Sequence, residues 1–96
     1  MCHVPLVNLR AAFENDLAAL KEALNAGVDI EERGPYDATA LMYASYLGHI
    51  EIVKALLVAS ADLNAADQYG NTSLQVAEQS GHTEIVELLK QAGAAR

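Results

Sequence analysis

The sequence predicts an all-α solenoid, in which three helix-turn-helix units stack side by side and short β-turn or hairpin-like loops join them. Three observations predict it. The chain repeats itself at a period of 33 residues, which is the mark of a stacked array. Within each period, apolar residues recur at the three-to-four spacing of a helix face. The composition is 52% apolar but only 5% aromatic, with Ala and Leu supplying most of the apolar share, which favours helices over strands.

The repeat aligns without a gap. Tyr36 falls on Tyr69, Thr39 on Thr72, Leu41 on Leu74 and Ala44 on Ala77. Gly48-His49 falls on Gly81-His82, Glu51-Ile52-Val53 on Glu84-Ile85-Val86, and Leu56 on Leu89. A degenerate leading copy places Gly27-Val28-Asp29 on Ser60-Ala61-Asp62 and Ala11 on Ala44. One domain over 1–96 follows, with an N-terminal capping repeat at about 4–34, a second repeat at 35–67 and a C-terminal capping repeat at 68–96.

Each unit has a physical reading. Thr39 and Thr72 stand where a hydroxyl caps the free N–H groups of a helix start, so first helices are expected over 40–47 and 73–80. Small Ala44 and Ala77 sit in mid-helix, where a neighbouring helix can come close. Gly48 and Gly81 then end those helices in the left-handed conformation. Second helices are expected over 50–59 and 83–92, presenting Ile52, Val53, Leu56 and Leu57 and their equivalents as an apolar stripe. Ser60 and Gly93 mark their ends, and a loop rich in Asp, Asn and Gly, such as 64–71, leads to the next unit. One helix pair cannot bury its stripe alone, whereas stacked pairs bury a continuous core.

These residues resemble the ankyrin-repeat family over about residues 4–95. The likeness is carried by Gly70-Asn71-Thr72-Ser73-Leu74 with Ala77, by Gly81-His82-Thr83-Glu84-Ile85-Val86 with Leu88-Leu89, and by the same positions of the preceding copy. The chain also departs from the pattern. The family's Thr-Pro-Leu-His reads Thr39-Ala40-Leu41-Met42 and Thr72-Ser73-Leu74-Gln75, so a preset backbone angle is forfeited. The hydrogen bonds of the missing His are expected to be lost or supplied by Gln75. Gly34 and Asp37 hold the first loop's usual Asp and Gly positions, so a differently shaped loop is expected there. The first repeat offers Asn15-Asp16 in place of Gly-His. The last repeat turns polar, with Gln75, Glu78, Lys90 and Gln91 replacing Met42, Ser45, Leu57 and Val58, as the outer face of a solenoid end requires. The chain therefore reads as a complete small protein.

Charge and composition bear on function. The formal charge is -7, from 13 acidic and 6 basic residues, and the basic residues do not cluster as a nucleic-acid or anionic-membrane surface needs. No apolar run approaches the roughly 20 residues that span a bilayer, and the N-terminus lacks a secretory pattern. With Cys2 as its single cysteine, the chain forms no internal disulfide. A cytoplasmic location is the expectation.

Catalytic and metal chemistry find little support. His49 and His82 fall in the turn between helices, where the resembled family uses the ring to hydrogen-bond backbone. Stacked equivalents lie about 8–10 Å apart, too far to share a zinc ion at ~2 Å. Cys2 and His3 read as a frayed terminus, and Glu31-Glu32 as solvated surface charge beside Arg33. No cofactor, metal or catalytic residue is expected.

The remaining candidate is a protein-binding surface. The resemblance implies partners docked on loop tips and on the exposed edge of each first helix. Carried over, these positions are Arg33 and Tyr36, then Gln68, Tyr69 and Asn71, with Phe13, Tyr46, Leu47 and Gln79 on the helix edges. Tyr43, one turn before Tyr46, borders them. All four tyrosines and the one phenylalanine fall on this face and none on the second helices, as at a recognition surface. Against this, Tyr43 and Phe13 could fill core, and Tyr36 and Tyr69 could brace their own loops. Glu14, Asp37, Asp67 and Glu78 on the same face point weakly to a basic partner. Three repeats offer on the order of 800 Å² to one partner. The expectation is a monomeric, non-catalytic module that binds another protein. A self-associating protein, dimerising through a terminal repeat or the tyrosine face, is the alternative, and an enzyme or metal protein built on His3, His49 and His82 comes third.

Overall fold

The computed structural model describes residues 7–27 and 29–93, apart from the side chains of residues 7–9, 13 and 35. Six helices follow in three pairs: α1 (Val7–Glu14) with α2 (Leu17–Asn25), α3 (Ala40–Leu47) with α4 (Ile50–Val58), and α5 (Ser73–Ser80) with α6 (Thr83–Gln91). The first helices pack in the order α1, α3, α5 and the second helices in the order α2, α4, α6, while each first helix also packs on its own partner. The expected solenoid is therefore present. The second helices each end one residue before the expected position.

The core is built on the predicted stripe, with Leu57 only half-buried at its edge. Leu20, Ile52, Leu56, Ile85 and Leu89 of the second helices are fully buried against Leu41 and Leu74 of the first. Ala12, Ala44 and Ala77 are likewise fully buried, so the first helices meet through methyl groups. Ser45, buried among them, donates its hydroxyl to the Leu41 carbonyl at 2.7 Å, which removes the cost of an unpaired polar group.

The helix boundaries follow from local chemistry. Thr39 Oγ1 accepts from the Met42 N–H, and Thr72 Oγ1 from that of Gln75. Gln75 Oε1 in turn accepts from the Thr72 N–H at 3.0 Å, completing a capping box. Gln75 thus bonds within its own repeat rather than replacing the family histidine between repeats. The first helices all end alike. The N–H groups of Asp16, His49 and His82 donate to the carbonyls of Ala11, Ala44 and Ala77 at 2.9, 3.0 and 3.0 Å, with Asn15, Gly48 and Gly81 in the left-handed region between. This is the Schellman closure.

At the turn between helices the repeats diverge usefully. Asp16 caps α2 by accepting from the Ala19 N–H at 3.1 Å. His82 makes no cap. Its Nε2 instead meets the Tyr46 carbonyl of the preceding repeat at 2.9 Å, as expected of the Gly-His turn. The ring lies directly over Gly48, where an added Cβ would stand 2.9 Å from His82 Cε1. At Gly81 no atom would lie within 4 Å of such a Cβ.

A glycine with a left-handed backbone and no room for a methyl group carries two constraints. Gly48→Ala is expected to lower unfolding free energy by about 2–3 kcal/mol, from backbone strain plus a displaced His82 bond. Gly81→Ala, with strain alone, should cost about 1 kcal/mol. Urea denaturation of the two variants and the parent checks the difference.

Candidate functional site

The two connecting loops are built on one plan with different residues. In the second, Ala66 and Thr72 form an isolated antiparallel bridge, Asp67 N–H donates to the Asn71 carbonyl and Gly70 N–H to the Asp67 carbonyl, both at 3.0 Å. The Asp67 side chain supports the turn from inside, its Oδ1 accepting from the N–H groups of Tyr69 at 2.8 Å and Asn71 at 3.0 Å. In the first loop, Gly34 N–H donates to the Ala38 carbonyl at 2.9 Å and Asp37 N–H to the Gly34 carbonyl at 3.0 Å. Gly34 has no carboxylate to offer. Tyr36 takes φ 62 and ψ 17, the third position of a type II turn whose second position Pro35 presets. Asp37, standing where the second loop has Gly70, takes φ 58. The first loop is therefore shaped differently, as expected, and Tyr36 shares the strain with Asp37.

Arg33 compensates. Its Nη1 donates to the Asp37 carbonyl at 2.9 Å and also to the Ala66 carbonyl of the next loop, and lies 3.4 Å from Asp37 Oδ2. The Gln68 N–H donates to the Tyr36 carbonyl at 3.0 Å, so the two loop tips are joined by backbone. Glu31 adds a third tie, accepting from the Asp62 N–H at 2.7 Å. Glu31 is thus a structural acceptor between repeats, not merely the solvated charge expected from sequence.

These ties bring the tyrosines together. The Tyr36 and Tyr69 rings lie side by side, with centroids 6.3 Å apart and planes tilted by 30°. Tyr36, Tyr46 and Tyr69 are 61%, 62% and 68% exposed, whereas Tyr43 is half-buried between the two apolar clusters. All four line one hollow of about 420 Å³, whose other walls are Ala38, Met42, Asp67 and Val76.

The remaining candidates sit around this hollow rather than in it. Gln68 and Gln79 are exposed, while Leu47 and Asn71 are half-buried. Gln79 Nε2 donates to Asn71 Oδ1 at 3.5 Å, so these two brace α5 against its loop. Arg33 is engaged by the loops. Phe13 falls on α1, and its side chain lies outside the described ones, as do Cys2, His3 and the segment before Val7. Sequence reasoning did not assign Met42 and Val76 to the face. Both stand one turn from a predicted position on their helices, and both line the hollow.

Among the described residues no group of three or more His, Cys, Asp or Glu side chains is placed to hold a metal ion. None of their helices is long and apolar enough to cross a membrane. Among the described residues the hollow offers ring faces, apolar side chains and one carboxylate.

Burial and the neighbouring Tyr36 both push the Tyr43 phenol above its ordinary value of 10.0. A folded-state value above the unfolded one favours the protonated, folded form. The contribution is complete below the unfolded value and disappears as pH rises through the folded one. Stability should accordingly fall as pH is raised past the ordinary phenol value of 10.0. Tyr43→Phe should flatten that fall, a difference that urea midpoints taken below and above that value would register.

No curated protein matches the chain. A family model described as ankyrin repeats in three copies matches residues 9–95, the same three helix pairs that the structure stacks, and the chain belongs to the ankyrin-repeat family.

Proposed function

We propose that this chain is a non-catalytic interaction module that captures a partner protein in the tyrosine-lined hollow formed by the loop tips and the edge of α3. Ankyrin repeats are generally protein–protein interaction modules. The observation that carries the assignment to this face is the convergence of all four tyrosines on one hollow, three of them more than 60% exposed. Exposed Tyr combines contact area with a hydroxyl at small entropic cost, and such rings concentrate binding energy at interfaces. The protein acts as a monomer, and its partners are proteins rather than nucleic acid or membrane. The absence of basic clusters in a chain of charge -7 supports this reading. Cytoplasmic residence accords with a lone cysteine.

Tyr46→Ala and Tyr69→Ala remove exposed rings that the core does not need. Each variant should keep the parent's helical circular dichroism, with a loss of stability within about 0.5 kcal/mol. The double variant should lose partner capture from lysate of the source organism. Retained capture by the folded double variant refutes the assignment of the face. Light scattering at micromolar concentration should return the monomer mass. A dimer that Tyr46→Ala dissociates would instead favour self-association through the same rings.

A further inference from the structure

Resting on that reading, we infer that the hollow recognises a cationic side chain, an arginine or lysine carried on an otherwise apolar segment of the partner. The inference is electrostatic and geometric. Among the described residues the lining contains one charged group, the Asp67 carboxylate, and no basic one. Asp67 is fixed there because its Oδ1 accepts the N–H groups of Tyr69 and Asn71, so the anion cannot turn away without opening the loop. The surroundings are acidic overall. The two loops (29–39 and 59–72) together with α3 and α5 contain seven acidic residues and a single basic one, Arg33. Its guanidinium is already committed to the carbonyls of Asp37 and Ala66 and to the Asp37 carboxylate.

Beside Asp67 stand Tyr36 and Tyr69, whose centroids lie 6.3 Å apart. Aromatic faces attract a cation within about 6 Å of the ring centre, and Tyr serves well in this role. A planar guanidinium suits the combination especially, since it stacks on rings while forking to a carboxylate. The floor of Ala38, Met42 and Val76 is apolar. It provides for the methylene stem of the incoming residue and for an apolar neighbour, in the way long cationic side chains lie along apolar surfaces.

The test uses the whole chain and three blocked pentapeptides of sequence Leu-Ala-X-Ala-Leu, with X as arginine, citrulline or glutamate. Citrulline keeps the shape of arginine and removes its charge. Backbone amide shifts reveal where each peptide binds and how tightly. The arginine peptide should saturably shift the signals of Tyr36, Tyr46 and Gly70. The citrulline peptide should bind there roughly threefold to tenfold more weakly, and the glutamate peptide more weakly still. Asp67→Asn keeps an oxygen for the two N–H groups and removes the charge. It should weaken the arginine peptide by a similar factor and leave the citrulline peptide unchanged.

Equal binding of arginine and citrulline peptides overturns the inference, as does the failure of any peptide to shift the hollow, or shifts confined to α2 and α4. None of these results touches the wider reading. That reading fails only if the folded Tyr46→Ala/Tyr69→Ala variant still captures its partner.

Discussion

Helix α3 is enclosed on three sides, and this enclosure governs the rest of the structure. α1 and α5 lie along its flanks and α4 lies behind it, so Ala40, Leu41, Met42, Ala44 and Ser45 are all buried. Methyl-sized side chains let the flanking helices come close. A large ring pointed at either flank would force them apart at the cost that overpacked cores incur. Only one edge of α3 is left open. Tyr46 takes that edge, and Tyr43 leans across its margin. The aromatic surface is therefore the remainder after packing, and packing determines where it faces.

The loops solve a related problem without a sheet. Each tip is too short to be stable alone, and the first lacks the aspartate that supports the second from within. Cross-ties supply the deficit: Arg33 to Ala66, Gln68 to Tyr36 and Glu31 to Asp62. The two rings at the tips then lie against one another. Strain at Tyr36 and Asp37 persists because these contacts over-determine the loop. For the binding role proposed above such rigidity is favourable, since a surface ordered beforehand gives up less freedom when a partner arrives.

The repeat was legible because it depends on residues with few substitutes. A left-handed helix end selects Gly48 and Gly81, a first turn selects Thr39 and Thr72, and a close helix contact selects Ala44 and Ala77. The face was legible because every tyrosine fell outside the buried stripes. What escaped the sequence was long-range and polar. Nothing in Arg33 or Glu31 announces that their partners are backbone groups of the next loop, because a charged residue in a loop looks alike whether it meets water or a carbonyl. Of the two outcomes expected at Gln75, local capping prevails, as its partner at Thr72 competes with any more distant one. Met42 and Val76 carried no polar or aromatic signal that would have placed them beside the tyrosines.

The bond from His82 to the Tyr46 carbonyl joins the wall of the hollow to the repeat beyond it. A residue of α3 thus has its backbone held from His82, the residue that precedes α6, across the seam between two units. Whatever favours that wall with the bond in place also makes the opening of the third unit less favourable, by reciprocity. On the proposed reading, occupancy of the face and endurance of the far end of the solenoid are linked equilibria.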